Sequence, residues 1–378
     1  MSRPLRVGFV LHAMQVAGAE VLTREMIRRL GDRIRPTIFC LDSVGRIGEE
    51  MIREGHDLVC LDRQPGRDYR VSLRLAKAIN ERRIDVLHAH QYTPYFYAAL
   101  AKARGPHRPR LILTEHGRHY PDRVSSLRRA VNRALLAPLA DAMTACCRFA
   151  ANGLCKVDGF PGSRIEIIEN GIDVNQYGPA KSKVEAKTAA GLDPSKRYLI
   201  HVARHHPVKD QPTLLRGFAA ASTELPDVDL LMVGDGPLRG DLEALTAELG
   251  ISLRVKFLGI RTDIPALMRA SDAFALTSLS EAASLTVIEA MATGLPSVLT
   301  HVGGNPELVR HEQEGLLFPR SDWAGCAVAI RRIFTDHTLA ARCGAAARAR
   351  AFERFCLDRT VDEYYALYQR LMGERTIS

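Results

Sequence analysis

Short apolar, often β-branched runs recur along this chain, and a longer amphipathic stretch separates each from the next. In the first half the runs are Leu5–Leu11, Thr37–Leu41, Leu58–Leu61, Val86–His88, Leu111–Thr114, Ala142–Ala145 and Ile165–Ile168. The stretches between them have helical spacing, as in Val71–Arg82, where Leu75, Ala78 and Ile79 share a face. Brief buried strands alternating with helices specify a parallel sheet covered on both sides. The alternation pauses over Tyr177–Leu192, rich in Lys, Ala, Gly and Pro, which reads as a connection between domains. It then restarts with Tyr198–Ala203, Leu230–Val233, Arg254–Leu258, Ala273–Leu276 and Ser297–Thr300. The expectation is therefore two doubly wound α/β domains, residues 1–178 and 179–356, followed by a terminal helix within 357–378. That helix carries Val361, Tyr364, Tyr365, Tyr368 and Met372 at helical spacing.

The 378 residues are 46% hydrophobic, too apolar for a disordered chain. No apolar run reaches the roughly 18 residues of a membrane span. Leu5–Leu11 after Arg3 and Arg6 imitates the start of a signal peptide, but His12 and Gln15 interrupt it, and it reads as a first buried strand. None of the eight cysteines forms a C-x-x-C pair or a zinc-finger spacing. Reduced thiols and a cytoplasmic setting are the expectation.

The formal net charge of +9 is unevenly placed. Residues 1–180 hold 28 Lys and Arg against 19 Asp and Glu, whereas the remainder is balanced at 24 against 24. A basic half suits nucleic acid, an anionic membrane or a phosphorylated substrate. No helix-turn-helix, zinc or lysine- and aromatic-rich sheet motif accompanies it, which argues against nucleic acid.

Residues with chemistry follow the strands, where ligands bind in open parallel sheets. The densest segment is Ser280–Pro296. Ser284 is a natural N-cap for a helix ending near Ala292, with Gly294 as its stop. Its N-terminal amides offer an anion site fit for a diphosphate. Glu281 precedes the cap, and Glu289 lies ~7.5 Å along the axis from Ser284. The two carboxylates either bracket a phosphorylated sugar or are merely solvated. Arg204 and Lys209 follow Tyr198–Ala203 and suit a pyrophosphate. Gly234-Asp235-Gly236-Pro237 is either a close backbone approach to a ligand or a plain tight turn. In the first half, Gly18 opens a strand-to-helix turn that is neither a dinucleotide fingerprint nor a P-loop. His88, His90 and His116 end two strands, as site residues or as structural ones. Asp227-Val228-Asp229 imitates a metal-binding D-x-D but reads as the polar entry to a strand.

Together these segments resemble the retaining glycosyltransferases of family 4, also described as glycosyl transferases group 1. The resemblance rests on Glu281 and Glu289 within Glu-Ala-Met-Ala-Thr-Gly-Leu-Pro, on Ile168–Asp173, on Arg204 with Lys209, on Val233–Pro237, on Phe257–Gly259 and on Val302–Glu307, in the family's order. It implies the GT-B fold: two facing Rossmann-like doubly wound parallel-sheet domains with a cleft between, an acceptor-binding N-terminal and a nucleotide-sugar-binding C-terminal domain. The terminal helix Leu357–Met372 would cross back to the N-terminal domain.

The implied roles are specific. Arg204 and Lys209 hold the donor diphosphate, with Gly18, Gly234, Ser284 and Leu285 around the phosphates. Glu289 bonds the ribose, Glu281 contacts the donor sugar, and His116 sits near the reacting carbon. The implied reaction transfers a sugar, with retention, from a UDP-sugar (GDP-mannose second) to a hydroxyl of a glycan or lipid-linked saccharide, with no metal or other cofactor. Two departures touch backbone near the phosphates: Ala17, and Ala282-Ala283, stand where the family usually has glycine. The alternatives are a sugar-nucleotide epimerase of the same fold and a non-catalytic nucleotide-sugar or nucleic-acid binder.

The charge excess concentrates in residues 104–133, with eight arginines against Glu115 and Asp122. Leu127, Val131, Ala134 and Leu135 form a stripe beside Arg128, Arg129 and Arg133, with Arg118 and Arg123 just upstream. Either this basic amphipathic helix lies on an anionic membrane, or its stripe packs on its own sheet with the arginines solvated.

Overall fold

The computed structural model describes residues 3–66, 68–117 and 124–373, and these divide into two compact units. The first comprises residues up to Asn170 together with the segment from Leu357, and the second is Gly171–Cys356. Arg118 and Arg123 lie outside the described residues.

The first unit is built on seven parallel strands: β1 (Leu5–Ala13), β2 (Ile34–Ser43), β3 (Asp57–Cys60), β4 (Val86–His90), β5 (Arg110–Glu115), β6 (Ala142–Ala145) and β7 (Ile165–Ile167). Their order is β3-β2-β1-β4-β5-β6-β7. Alternate side chains enter two cores, one on each face. Val10, Phe39, Leu87 and Leu111 pack with the helices Arg70–Arg82 and Tyr92–Arg104. Val7, Phe9, Ile38 and Val86 pack with helix Gly18–Leu30 and with Val361, Tyr364, Leu367 and Tyr368 of the terminal helix Leu357–Gly373.

The second unit has six parallel strands: β8 (Arg197–Val202), β9 (Val228–Val233), β10 (Val255–Gly259), β11 (Ala273–Leu276), β12 (Ser297–Thr300) and β13 (Gly315–Phe318), ordered β10-β9-β8-β11-β12-β13. Both are Rossmann-like sheets whose order reverses at one point, between β1 and β4 in the first and between β8 and β11 in the second.

Twelve of these strands coincide with the runs read from the sequence. The thirteenth, β13, is a four-residue edge strand between charged residues and a proline, too short to give a periodicity. The compact units divide after Asn170, ahead of the expected 178, because Ile172 bridges to Cys356, and Ile172, Val174 and Tyr177 pack into the second core. Tyr177–Leu192 is not a free connection. Its residues Lys183–Ala189 are helical, Leu192 is buried, and the buried Lys187 ammonium donates to the Lys196 carbonyl (2.7 Å) beside Asp272 (3.3 Å).

The apolar stripe after residue 124 does not pack on its sheet. Leu127, Val131, Ala134 and Leu135 are all exposed. Arg128 is only partly solvated, since it meets Asp158 at 3.1 Å and lies over the Tyr92 ring.

All eight cysteines are free thiols, and among the described residues no helix is long and apolar enough to cross a membrane. Asp227 and Asp229 of the D-x-D each have an arginine: Arg197 grips Asp227 through two bonds (2.6 and 2.8 Å), and Arg254 meets Asp229 at 3.1 Å.

Candidate active site

In the second unit the loops after β8 and β11 flank the point of strand reversal, and they are tied to each other. The Leu279 amide donates to the Val208 carbonyl (2.8 Å), and the Thr277 hydroxyl donates to the carbonyls of Lys209 (3.1 Å) and Asp210 (2.9 Å). Gln211 donates to the Arg204 carbonyl at 2.9 Å, fixing the backbone under an exposed guanidinium. Lys209 ends the tight turn Pro207–Lys209, whose geometry delivers its ammonium onto the Glu281 carboxylate. Ser278 donates to the same carboxylate oxygen at 2.7 Å. Glu281, with only 10% of its side chain exposed, is therefore a held acceptor and not a solvated surface group. Two groups expected to serve diphosphate and sugar separately form one ion pair.

Helix Leu285–Thr293 begins where Ser284 sits at the cap position in extended backbone and ends at Gly294 in the left-handed conformation (φ 83°). The Ser284 hydroxyl bonds Thr286 Oγ1 (3.0 Å) and makes no bond to a first-turn amide. No acidic side chain occupies that turn, so the amides of Leu285 and its successor keep their donor capacity at the positive end of the helix dipole. Glu289, one turn further on, is half-buried beside Tyr177. Burial pushes its carboxyl up to about 7, against the pull of the Tyr177 hydroxyl. The tyrosine is raised in turn, by burial and then by Glu289.

Two glycines are required by geometry. Gly234, at φ 126°, lies so close to β8 that a Cβ would stand 2.1 Å from the Ala203 carbonyl oxygen. Gly303, at φ 55°, would place a Cβ 1.9 Å from the Glu281 carbonyl oxygen, the same carbonyl that accepts from the Gly304 amide (3.0 Å). The alanines at departing positions need no such freedom. Ala17 is extended (φ −146°), and neither Ala282 nor Ala283 is among the residues with positive φ.

In the first unit, helix Gly18–Leu30 starts directly at Gly18 without a side-chain cap, again leaving first-turn amides open. The strand-end histidines form a connected set. His88 Nδ1 meets the Tyr368 hydroxyl (2.8 Å) and its Nε2 the Thr114 hydroxyl (2.6 Å). The His90 ring stacks on His88, with centroids 4.2 Å apart, and its Nδ1 meets His116 Nε2 at 2.8 Å. Burial holds all three far below the ordinary histidine range: His88 near 3, His116 near 4, and His90 well down. They are neutral at physiological pH. His88 is structural, with both nitrogens engaged. His116 Nδ1, His90 Nε2 and Oδ1 of the buried Asn170 have no full partner among the described residues, although Asn170 adjoins His116. Unused hydrogen-bonding capacity thus gathers around His116.

His90 is a sequence candidate along with His88 and His116, whereas Asn170, Tyr177 and Ser278 have no individual role in the sequence pattern. His90 had a signal, since it is the last residue of a strand and pairs in register with Thr114, two residues before His116. Tyr177 and Ser278 had none, because their partners are set by chain folding.

The profile described as Glycosyltransferase Family 4 matches residues 16–176, and that described as Glycosyl transferases group 1 matches residues 182–350. The chain belongs to the family 4 glycosyltransferases. The N-acetyl-alpha-D-glucosaminyl L-malate synthase of Bacillus anthracis is 29% identical over 82% of this chain and 81% of its own. The UDP-Gal:alpha-D-GlcNAc-diphosphoundecaprenol alpha-1,3-galactosyltransferase of Escherichia coli is 27% identical over 72% of each. Among solved structures, Anabaena Alr3699/HepE in complex with UDP and glucose superposes with a TM-score of 0.84, covering 97% of this chain and 99% of that one at 23% identity. This transferase therefore has the GT-B fold as well as the family's sequence.

Proposed function

We propose that this transferase moves a hexosyl group from a UDP-sugar to a hydroxyl of a glycan or lipid-linked saccharide, with retention at the anomeric carbon. The observation that carries the reading is the Lys209–Glu281 pair held beside the open amides of helix Leu285–Thr293. A donor diphosphate satisfies those amides, Arg204 and Lys209 together, and Lys209 then exchanges part of its contact with Glu281 for phosphate oxygen. Glu281, released toward the sugar, accepts from its hydroxyls. Glu289 accepts from the ribose. No group at the site declares itself a covalent nucleophile, so a front-face displacement is the mechanism assigned. The acceptor oxygen bonds to the anomeric carbon as the bond to the diphosphate breaks, and the acceptor proton passes to the departing phosphate oxygen. The cationic groups and helix amides stabilise the charge that develops there.

Uracil as the base is supported by the Escherichia coli relative, named for UDP-Gal, and by the UDP-bound fold neighbour. The eight free thiols support a cytoplasmic setting. The test is transfer from a panel of UDP- and GDP-sugars to a saccharide acceptor, with the product anomer read by proton NMR. An α-linked product from an α-linked donor is expected. An inverted product, or isomerisation of the donor without transfer, would refute the assignment.

A further inference from the structure

The segment after residue 124 is a helix turned inside out. It runs as α-helix over Ser126–Val131, widens to a π turn over Asn132–Leu136 and closes as a 3-10 turn at Ala137–Leu139. Over residues 124–135 the face toward its own unit is polar, and apolar packing begins only at Leu136 and Ala137. Arg128 meets the buried Asp158 at 3.1 Å. Asn132 accepts from the Tyr92 hydroxyl (2.7 Å) and donates to the Asp158 carbonyl (2.8 Å), and the Leu136 carbonyl accepts from Tyr95 (2.5 Å). These bonds fix which way the helix faces. The apolar side chains are consequently left outside: Leu127 is 75% exposed, Leu135 63%, Val124 60% and Val131 37%. Four of the fifteen large apolar side chains exposed among the described residues thus fall in one twelve-residue stretch. A surface helix ordinarily buries such a stripe, and a contiguous exposed one marks an interaction surface.

Charge selects the occupant. The exposed Arg129 and Arg133, one turn apart, line a hollow of about 210 Å³ with Ser126, Ala130 and Gly159. No acidic residue occurs in 124–135. Apolar side chains along one side of the exposed helix and arginines along the other complement a surface that is apolar within and anionic at its edge. We propose that residues 124–135 dock this transferase on an anionic lipid bilayer. Leu127, Val131 and Leu135 enter the acyl boundary, and Arg129 and Arg133 meet headgroup phosphates. Arg128 takes no part, because Asp158 holds it inside. The inference stands apart from the proposed transfer reaction, since it concerns where the enzyme sits and not what its site does.

The test is co-sedimentation of the full-length protein with vesicles of phosphatidylcholine containing one third phosphatidylglycerol, and with pure phosphatidylcholine vesicles. Two variants are compared, Leu127→Ser with Leu135→Ser, and Arg129→Glu with Arg133→Glu; these side chains lie at the surface, and unchanged thermal melting confirms the fold. Wild type should partition onto the anionic vesicles only, and each variant should lose at least tenfold of that partition. Donor hydrolysis in solution should be unchanged in both, which separates failure of docking from failure of the site. Three results would overturn the proposal: no partition by wild type, equal partition by either variant, or self-association through this face in place of vesicle binding.

Discussion

At the scale of single residues, the Lys209–Glu281 pair makes a directional prediction. Both side chains are largely enclosed, so removing one leaves the other charge poorly solvated, a cost of order 1–3 kcal/mol. Lys209→Ala also removes a cation from the leaving phosphates, and Glu281→Ala a hydroxyl acceptor. Either variant, still folded by circular dichroism, should lower nucleotide-sugar turnover at least tenfold; near wild-type turnover in both would sink the site assignment. Glu289 predicts a pH dependence. Its folded carboxyl titrates near 7, above the ordinary carboxylate range, and a ribose hydroxyl bonds best to the ionised form. Nucleotide affinity should therefore weaken as pH falls through about 7, and Glu289→Gln should bind less tightly with that slope abolished. A slope retained in the variant, measured by calorimetric titration, would move the titration to another group. The placement of Glu281 before, and Glu289 within, one helix start was legible from their spacing. The raised Glu289 carboxyl was not, because it comes from burial, opposed by the Tyr177 hydroxyl 112 positions away, and both arise only on folding.

At the scale of elements, the loops after strands hold left-handed backbone beside the site. Gly303 shows this. A side chain there meets the Glu281 carbonyl and must also adopt a left-handed backbone, at about 1–3 kcal/mol for the conformation alone. Gly303→Ala should lower the melting temperature and depress turnover together, because the backbone it displaces carries the Glu281 carboxylate. Loss of stability with full turnover would mean that the two loops are not coupled.

The ends of β4 and β5 make a second case. His88, His90 and His116 are held below the ordinary histidine range by burial, so their unfolded forms bind protons first. Their stabilising effect is complete above about pH 6.5 and is lost as pH falls toward the folded values of about 4 and 3, each group contributing at most ~1.4 kcal/mol per pH unit. Urea unfolding should show stability falling from pH 7 to pH 5, with a shallower fall in His90→Gln. Twelve strands were legible because a buried parallel strand is a continuous apolar run. The orientation of the helix after residue 124 was not, because a stripe of leucine and valine looks the same whether it faces a sheet or water. Asp158, Tyr92 and Asn132, none of them in the stripe, decide it.

At the scale of the whole molecule, the chain has separate cores. Val10, Phe39 and Leu87, with Val7 and Phe9 on the other face, belong to the first unit. Ile200, Leu231 and Phe274, with Leu214 and Phe218, belong to the second. Such a chain is not obliged to unfold in one transition. Arg204, Lys209, Glu281 and Glu289 all lie within Gly171–Cys356, so a bound nucleoside diphosphate stabilises that unit first. Binding to the folded form alone contributes RT ln(1 + [L]/Kd), about 2.7 kcal/mol at one hundred times Kd. Hydrogen exchange with saturating UDP should therefore slow most at the amides of β9 and of helix Leu285–Thr293, and less in β1 and β4. The same experiment names the base. UDP should protect these amides more than GDP or ADP at equal concentration, because phosphate contacts are common to all three and only the base contacts differ. Equal protection by the three would reduce the site to a diphosphate binder and remove the ground for a UDP-sugar donor. Protection confined to residues 3–170 would displace the donor site from the unit that carries Lys209 and Glu289.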